Sequence, residues 1–332
     1  MTNLVKFSIT LSLVFLIDNV HADREAFEST YVPLAPEKIV IQNASIYDGD
    51  GGEFFETDVL VEDGKIIAIG KDLPFSNEFR VIDATGKWVT PGIIDIHSHM
   101  GVYPAPGVRT SSDGNEATSP VTADVWAEHS IWVQDPQYAL ALTGGVTAFH
   151  ILPGSANLIG GRGVTVKNLQ RVTINSMKFP DAPHSLKMAC GENPKRVYGN
   201  RGQAPSTRMG NAAGYRKSWI QAEGYLRKLN EYEEKSDEAK ELEYAPTRDL
   251  EMETLVGVLK GEILVHNHCY RADEMATMID IAKEFNYKIT AFHHGVEAYK
   301  IADMLADNGI CGALWADWWG FKHEAYDMVQ AN

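Results

Sequence analysis

The sequence predicts an α/β protein: a parallel sheet covered by helices, preceded by a small β unit. Three observations carry this. From Pro91-Gly92 onward, apolar runs alternate with helical stretches, as in IIDIH, VTAFHIL, LKMAC, ILVHNH, YKITAFHH and ICGALWA. These runs are close to continuously apolar, which fits strands buried on both faces. Residues 38–90 instead show the alternation of half-buried strands. An open doubly wound sheet and a closed barrel both satisfy the pattern. No G-x-G-x-x-G follows the first strand, so a dinucleotide site has no support.

Residues 1–22 differ in kind from the rest. Lys6 is followed by the uncharged run FSITLSLVFLI, too short for the ~20 apolar residues that span a bilayer. Val20-x-Ala22 has the small-residue spacing of a signal-peptidase site. We read residues 1–22 as an export signal cut after Ala22, which makes the mature chain periplasmic or secreted. Residues 23–90 form the small β domain. After a mixed leader, KIVIQNASIY alternates, and Asp63-Gly64 between two apolar runs is a strong hairpin signal. VIDATGKWV, around Thr85-Gly86, reads as a second hairpin. The unit is therefore expected to be antiparallel.

Residues 91–332 form the larger domain. A loop rich in Gly, Ser and Pro follows the first strand, from Gly101 to about Thr122. Asp135-Pro136 is an N-cap signal for a helix ending at Gly144-Gly145. Gly160-Gly161-Arg162-Gly163 lacks the phosphate-loop ending and reads as a tight turn. EYEEKSDEAKELE reads as a solvated helix face. In ADEMATMIDIAKEFN, Met275, Met278, Ile279 and Ala282 share one helical face. VEAYKIADMLADNG is a helix closed by Asn308-Gly309. The formal net charge of −15 argues against nucleic acid or an anionic membrane surface as partner. The three cysteines, Cys190, Cys269 and Cys311, are far apart, define no disulfide framework and read as small core residues.

The chemistry lies in the histidines. His97 and His99 share one side of the first strand, because residues i and i+2 point the same way. His266 and His268 end a later strand, and His293 and His294 end the next. Six of the eleven histidines thus fall at three expected strand ends. Histidine is a common ligand for zinc-like ions, with carboxylate as a frequent partner. Any one pair reads equally well as buried core histidines; all three together do not.

PGIIDIHSHM, the preceding β unit and the later strand-end histidines resemble the amidohydrolase superfamily from about residue 38 to the end. LPGSANLIGGRG, LKMACGENPKRVYG and HCYRADE are similar to its imidazolonepropionase-like branch. The resemblance implies a (β/α)8 TIM-like barrel with a small N-terminal β-sandwich-type domain, carrying one or two divalent ions, often Zn2+. The implied metal ligands are His97, His99, His268 and His294, with His266 as fallback for His268. Since His293 and His294 face opposite ways on a strand, one ligand is expected from that pair. The strand-four ligand is a glutamate or a carbamylated lysine. Glu192 is favoured over Lys187, which also reads as a polar residue near the strand end.

The family's aspartate on the eighth strand, a metal ligand and proton shuttle, has no counterpart. ALWA, Ala313 to Ala316, counts as the seventh strand, and Asp317 is not promoted to the role. The chain is expected to be truncated at its C-terminus, with the last barrel strand missing and the activity of this piece in question. The implied function is metal-dependent hydrolysis of a non-peptide carbon–nitrogen bond in an amide or cyclic amide. A deaminase of the same superfamily and an inactive metal-binding fragment are the alternatives. The partner is a small molecule. Asn157, Arg162, Arg196 and Tyr198, with Asn193 and Arg208, lie in loops above the strands and are candidate substrate contacts. Singly, each reads better as a cap or turn residue.

Overall fold

The computed structural model describes residues 27–35 and 37–315. The export signal, Ala316 and Asp317 lie outside the described residues. The N-terminal unit contains β1 (Ile39–Tyr47), β2 (Glu53–Glu62), β3 (Lys65–Gly70), β4 (Arg80–Asp83) and β5 (Trp88–Val89), ordered β3-β2-β1-β4. The Asp63-Gly64 hairpin forms as expected. Asp63 at φ 52° and Gly64 at φ 71° supply the two left-handed residues of a two-residue turn. The second expected hairpin does not form. β4 and β5 both run parallel to β1, so Thr85-Gly86 is a detour within one edge rather than a reversal. Asp83 Oδ1 accepts hydrogen bonds from the Thr85 backbone N–H and hydroxyl, which turns the chain locally without sending it back. The sheet is therefore mixed, not antiparallel.

The larger sheet holds β6 (Ile93–Ser98), β7 (Val146–Ile151), β8 (Ile159–Lys167), β9 (Ser185–Ala189), β10 (Leu264–His268), β11 (Ile289–His293) and β12 (Cys311–Ala313), in the order β12-β11-β10-β9-β8-β7-β6. It forms a nearly closed TIM-like barrel. A flat sheet would hold β6 and β11, five spacings apart, about 24 Å from each other. Instead His97 Nδ1 on β6 lies 2.7 Å from His293 Nδ1 on β11. The sheet is rolled.

β8 corrects the sequence reading twice. GGRG is the start of a buried strand, not a tight turn, and that strand runs antiparallel to both β7 and β9. Its glycines allow residues 121–126 to run closely alongside it, bridging in parallel at Ile159 and Arg162. A Cβ on Gly161, at φ +105°, would collide with the carbonyl oxygen of Val125, which accepts a hydrogen bond from Arg162 N at 2.8 Å. Burial on both faces holds for β9, where every residue is buried. It fails for β6, where Ile93, Ile94 and Ile96 are more than half exposed. β6 is a sheet edge among the described residues.

The helices are α1 (Gln137–Thr143), α2 (Glu192–Gly199), α3 (Arg208–Glu233), α4 (Asp237–Leu242), α5 (Leu250–Leu259), α6 (Ala272–Glu284) and α7 (Ala302–Asp307). Trp219 of α3, Leu255 of α5 and Met275, Met278, Ile279 and Ala282 of α6 pack with Leu186, Val265 and Phe292 of the sheet in the main core. The α6 face agrees with its periodicity. VEAYKIADMLADNG is less regular than expected: a 3-10 turn over residues 298–301 precedes the short α7. No helix among the described residues is long and apolar enough to cross a membrane.

The cysteines depart furthest from expectation. Cys190 and Cys269 are disulfide-bonded with a Cα–Cα distance of 5.2 Å, while Cys311 is exposed. Seventy-nine residues separate the bonded pair in sequence, but Ala189 and His268 are partners on adjacent parallel strands. The next residue on each strand is a cysteine, so the sheet brings them together.

Replacing Gly161 with Ala adds a collision with backbone to a left-handed φ. It should destabilise the fold by about 2–4 kcal/mol, read as a lower urea midpoint with an unchanged m-value.

Candidate metal centre

The barrel interior is built by strand register. Lys187 of β9 pairs with His266 of β10, and His268 of β10 pairs with His293 of β11. These four side chains therefore line one face. Rolling of the sheet brings His97 to them, and His99 follows just past the end of β6. The loop after β6 is anchored by Asp135, a buried carboxylate. It accepts hydrogen bonds from Gly101 N (3.0 Å) and Ala105 N (3.3 Å) while capping Gln137 N (3.0 Å) at the start of α1.

Four imidazoles are linked nitrogen to nitrogen. His97 Nε2 lies 3.3 Å from His99 Nε2, His97 Nδ1 2.7 Å from His293 Nδ1, and His293 Nε2 2.8 Å from His266 Nδ1. His99 Nδ1 lies 2.7 Å from the Leu152 carbonyl oxygen, which can only accept. His99 therefore carries its hydrogen on Nδ1 and presents a lone pair on Nε2 when neutral. Beneath them sits His150 of β7, which sequence reasoning missed. Its ring centroid is 4.6 Å from that of His266, and its nitrogens meet Thr165 Oγ1 (3.0 Å) and Ser185 Oγ (2.8 Å). VTAFHIL carried the signal, since a strand that lines a barrel turns alternate residues inward.

The expectation of one inward residue from the His293-His294 pair does not hold. His293 ends β11 facing the interior. His294 lies past the strand end at φ 55°, and this left-handed backbone turns its ring back toward the same cluster. Its centroid is 4.6 Å from His97 and 4.7 Å from His268. Trp315 closes over His294 edge-on at 4.1 Å. His268 Nε2 is 3.3 Å from Asn193 Nδ2 of α2.

Lys187 is the centre of this arrangement. It is 0% exposed, and its Nζ has no hydrogen-bond partner. Burial pushes its pKa down to about 7. Burial first, then the nearby Lys187 charge, holds His99 and His266 down to about 4 and drives His97 and His293 lower still. His150 falls to about 3 through burial and the nearby His266 and Lys187. The rings are thus neutral lone-pair donors at neutral pH. Glu192, the sequence's favoured strand-four ligand, is half-buried as the first residue of α2, past the end of β9. The structure seats Lys187 on the face that carries His266, and places Glu192 at the start of α2, beside Asn193, which reaches His268. Lys187 shares the face of its register partner His266, while Leu186 and Met188 face the helical core, and Gly191 at φ 76° redirects the chain before Glu192.

This donor set fits a divalent cation. Two ligand nitrogens on a tetrahedral zinc, with Zn–N of ~2.0–2.1 Å, lie about 3.3–3.4 Å apart. The Nε2 atoms of His97 and His99 have that separation. Among the described residues, no three His, Cys, Asp or Glu side chains form a ready-made cage. The nitrogens of His97, His293 and His266 point at one another instead.

In the structure, most of the loop residues expected to touch substrate have partners within the protein. Asn157 is buried, and its Nδ2 donates to Glu116 O, Ser119 O and Thr122 Oγ1. Tyr198 is buried, with its hydroxyl donating to Ser119 O at 2.6 Å. Arg162 points away from the barrel, to Thr254 of α5 and the face of Trp126. Arg208 pairs with Glu274 at 2.9 Å. Arg196 is exposed on α2, and Asn193 reaches His268. A cavity of about 400 Å³ has Asn115, Glu116, Asp124, Trp126, Pro153 and Gly160 in its wall, and none of the clustered histidines lines it. Pro153 follows Leu152, the residue that holds His99.

No family model matches the chain. The chain is 36% identical over 302 residues to the amidohydrolase tasK of Hapsidospora irregularis, a match covering 84% of this chain and 30% of that protein. It is 46% identical over 74 residues to the dihydroorotase of Lactobacillus helveticus, covering 22% of this chain and 16% of that protein. The chain thus spans less than a third of the length of these curated relatives. Among solved structures, an amidohydrolase from Thermotoga maritima superposes with a TM-score of 0.78 at 37% identity, covering 88% of this chain and 73% of that one.

Lys187 makes the metal-free protein's stability depend on pH. Between about 7 and its ordinary value of 10.5, the unfolded chain holds a proton that the folded chain does not. Stability should therefore rise with pH across that window. Lys187→Met should remove this rise, and should match or exceed the wild type in urea midpoint at pH 7.

Proposed function

The chain belongs to the amidohydrolase superfamily, and from that premise we propose that it hydrolyses a non-peptide carbon–nitrogen bond in an amide or cyclic amide with a divalent cofactor. The observation that carries this is the His97–His99 nitrogen pair at ligand spacing, backed by a buried lysine. Relatives named amidohydrolase and dihydroorotase support the same reading.

His97 and His99 hold the ion, with His266, His268, His293 and His294 supplying further nitrogens around the mouth. Neutral imidazoles favour zinc among the common divalent ions, as one or two ions. A divalent ion bound there supplies Lewis acidity and a water nucleophile at neutral pH. The Leu152 carbonyl holds the His99 ring and fixes its hydrogen on Nδ1, leaving Nε2 for the metal. Lys187 is the strand-four ligand in this reading, after its free amine adds to CO2 and loses a proton to give a carbamate. The depressed pKa leaves much of that amine uncharged at neutral pH. His97, His268, His293 and His294 are all buried, which limits water around the rings.

The substrate is a small molecule, and the 400 Å³ cavity walled in part by Pro153, next to the Leu152 that holds His99, is the space for it nearest in sequence to the site. The reading includes export after cleavage at Ala22. The Cys190–Cys269 bond suits an oxidising compartment.

Zinc-loaded chain should hydrolyse at least one member of a panel of linear amides, hydantoins and lactams. His97→Ala should lower both metal affinity and turnover by at least roughly 100-fold, beyond what loss of an outer partner costs. A variant retaining both would remove the reading.

A further inference from the structure

We propose that the Cys190–Cys269 disulfide is a positioning clamp for the metal centre, fixing His268 and the Gly191-Glu192-Asn193 turn against each other at the barrel mouth. The inference rests on the proposed metal site and adds to it a covalent support. Strand pairing between β9 and β10 ends at Ala189 and His268. Beyond that point the chains diverge. One turns at Gly191 into α2, and the other runs through Tyr270 toward α6. The disulfide joins the first residue past the ladder on each side.

Three contacts show what this bond holds. Cys190 N donates to His268 O at 2.8 Å, and Cys269 N donates to His293 O at 3.1 Å. Asn193, three residues past Cys190, reaches His268 Nε2 at 3.3 Å. The cross-link therefore lies between the backbone of two histidines and the turn that carries Asn193. Ladder hydrogen bonds hold His268, the last paired residue of β10, and single backbone bonds hold Cys190 and Cys269 just past it; the disulfide adds a covalent tie at the point where the two chains part. Both cysteines are buried, Cys190 at 3% and Cys269 at 0% exposure, so the bond is shielded from reductants in the folded protein. That burial makes it a permanent support rather than a switch.

The test uses the full chain. Thiol titration in denaturant without reductant should find one free thiol, Cys311, and three after reduction; three before reduction would overturn the proposal. Cys190→Ala/Cys269→Val and Cys190→Ser/Cys269→Ser should each bind zinc at least tenfold more weakly than wild type, measured by chelator competition at a temperature where all remain folded. Leu255→Ala, a cavity in the helical layer, supplies a comparison of general destabilisation and should leave zinc affinity within twofold. In metal-free protein, the ring resonances of His268 should be sharp in wild type and broadened in both cysteine variants. Unchanged zinc affinity and unchanged His268 resonances in the variants would overturn the clamp while leaving the metal site standing. A wild type that binds no zinc would remove the metal site, and the clamp with it.

Discussion

The 2.7 Å contact between His97 and His293 is the constraint on which the rest of the structure depends. It joins strands that lie five positions apart in one sheet, and it exists only because that sheet is rolled. Rolling turns one face of β6, β7, β9, β10 and β11 inward. Every inward group then has to be accommodated in a buried interior. The helices cover the other face with an apolar core around Trp219, Leu255 and Phe292, which leaves the interior as the place for chemistry.

That interior is unusual in its electrostatics. His97, His99, His150, His266 and His293 surround Lys187, and burial keeps the rings neutral. Burying a charged group without a partner costs several kcal/mol, so the fold selects uncharged bases. Uncharged bases offer lone pairs, and the Nε2 atoms of His97 and His99 stand at the separation that two ligands of one divalent cation take. The constraint that makes the cluster tolerable in a folded protein is therefore the one that suits it to metal. Backbone groups complete the arrangement. The Leu152 carbonyl orients His99, and Asp135 pins the loop that follows it.

Much of this was legible in the sequence. The Asp63-Gly64 hairpin, the apolar face of α6 and the interior placement of His97 and His266 follow from local periodicity and turn chemistry. The parts that were not legible depend on register or on backbone direction. GGRG looked like a turn because glycine marks both turns and close backbone approaches, and only the approach of Val125 alongside β8 decides between them. His294 joined His293 because a left-handed φ, invisible in HHG, reverses its ring. That Lys187 lies inside a strand and Glu192 opens a helix was not visible until the strand end was fixed at Ala189. The disulfide needed the pairing of Ala189 with His268, which no spacing of cysteines reveals. Asn157 and Tyr198 were loop residues in sequence but proved to be struts beneath the loops.

The most direct test of the central claim is the X-ray absorption spectrum of the zinc-loaded full chain. The account predicts stoichiometric zinc with imidazole nitrogen in its coordination shell at ~2.0–2.1 Å, and loss of that imidazole signal in His97→Ala. Zinc held by oxygen or sulfur alone, or a chain that retains no zinc after loading, would contradict it.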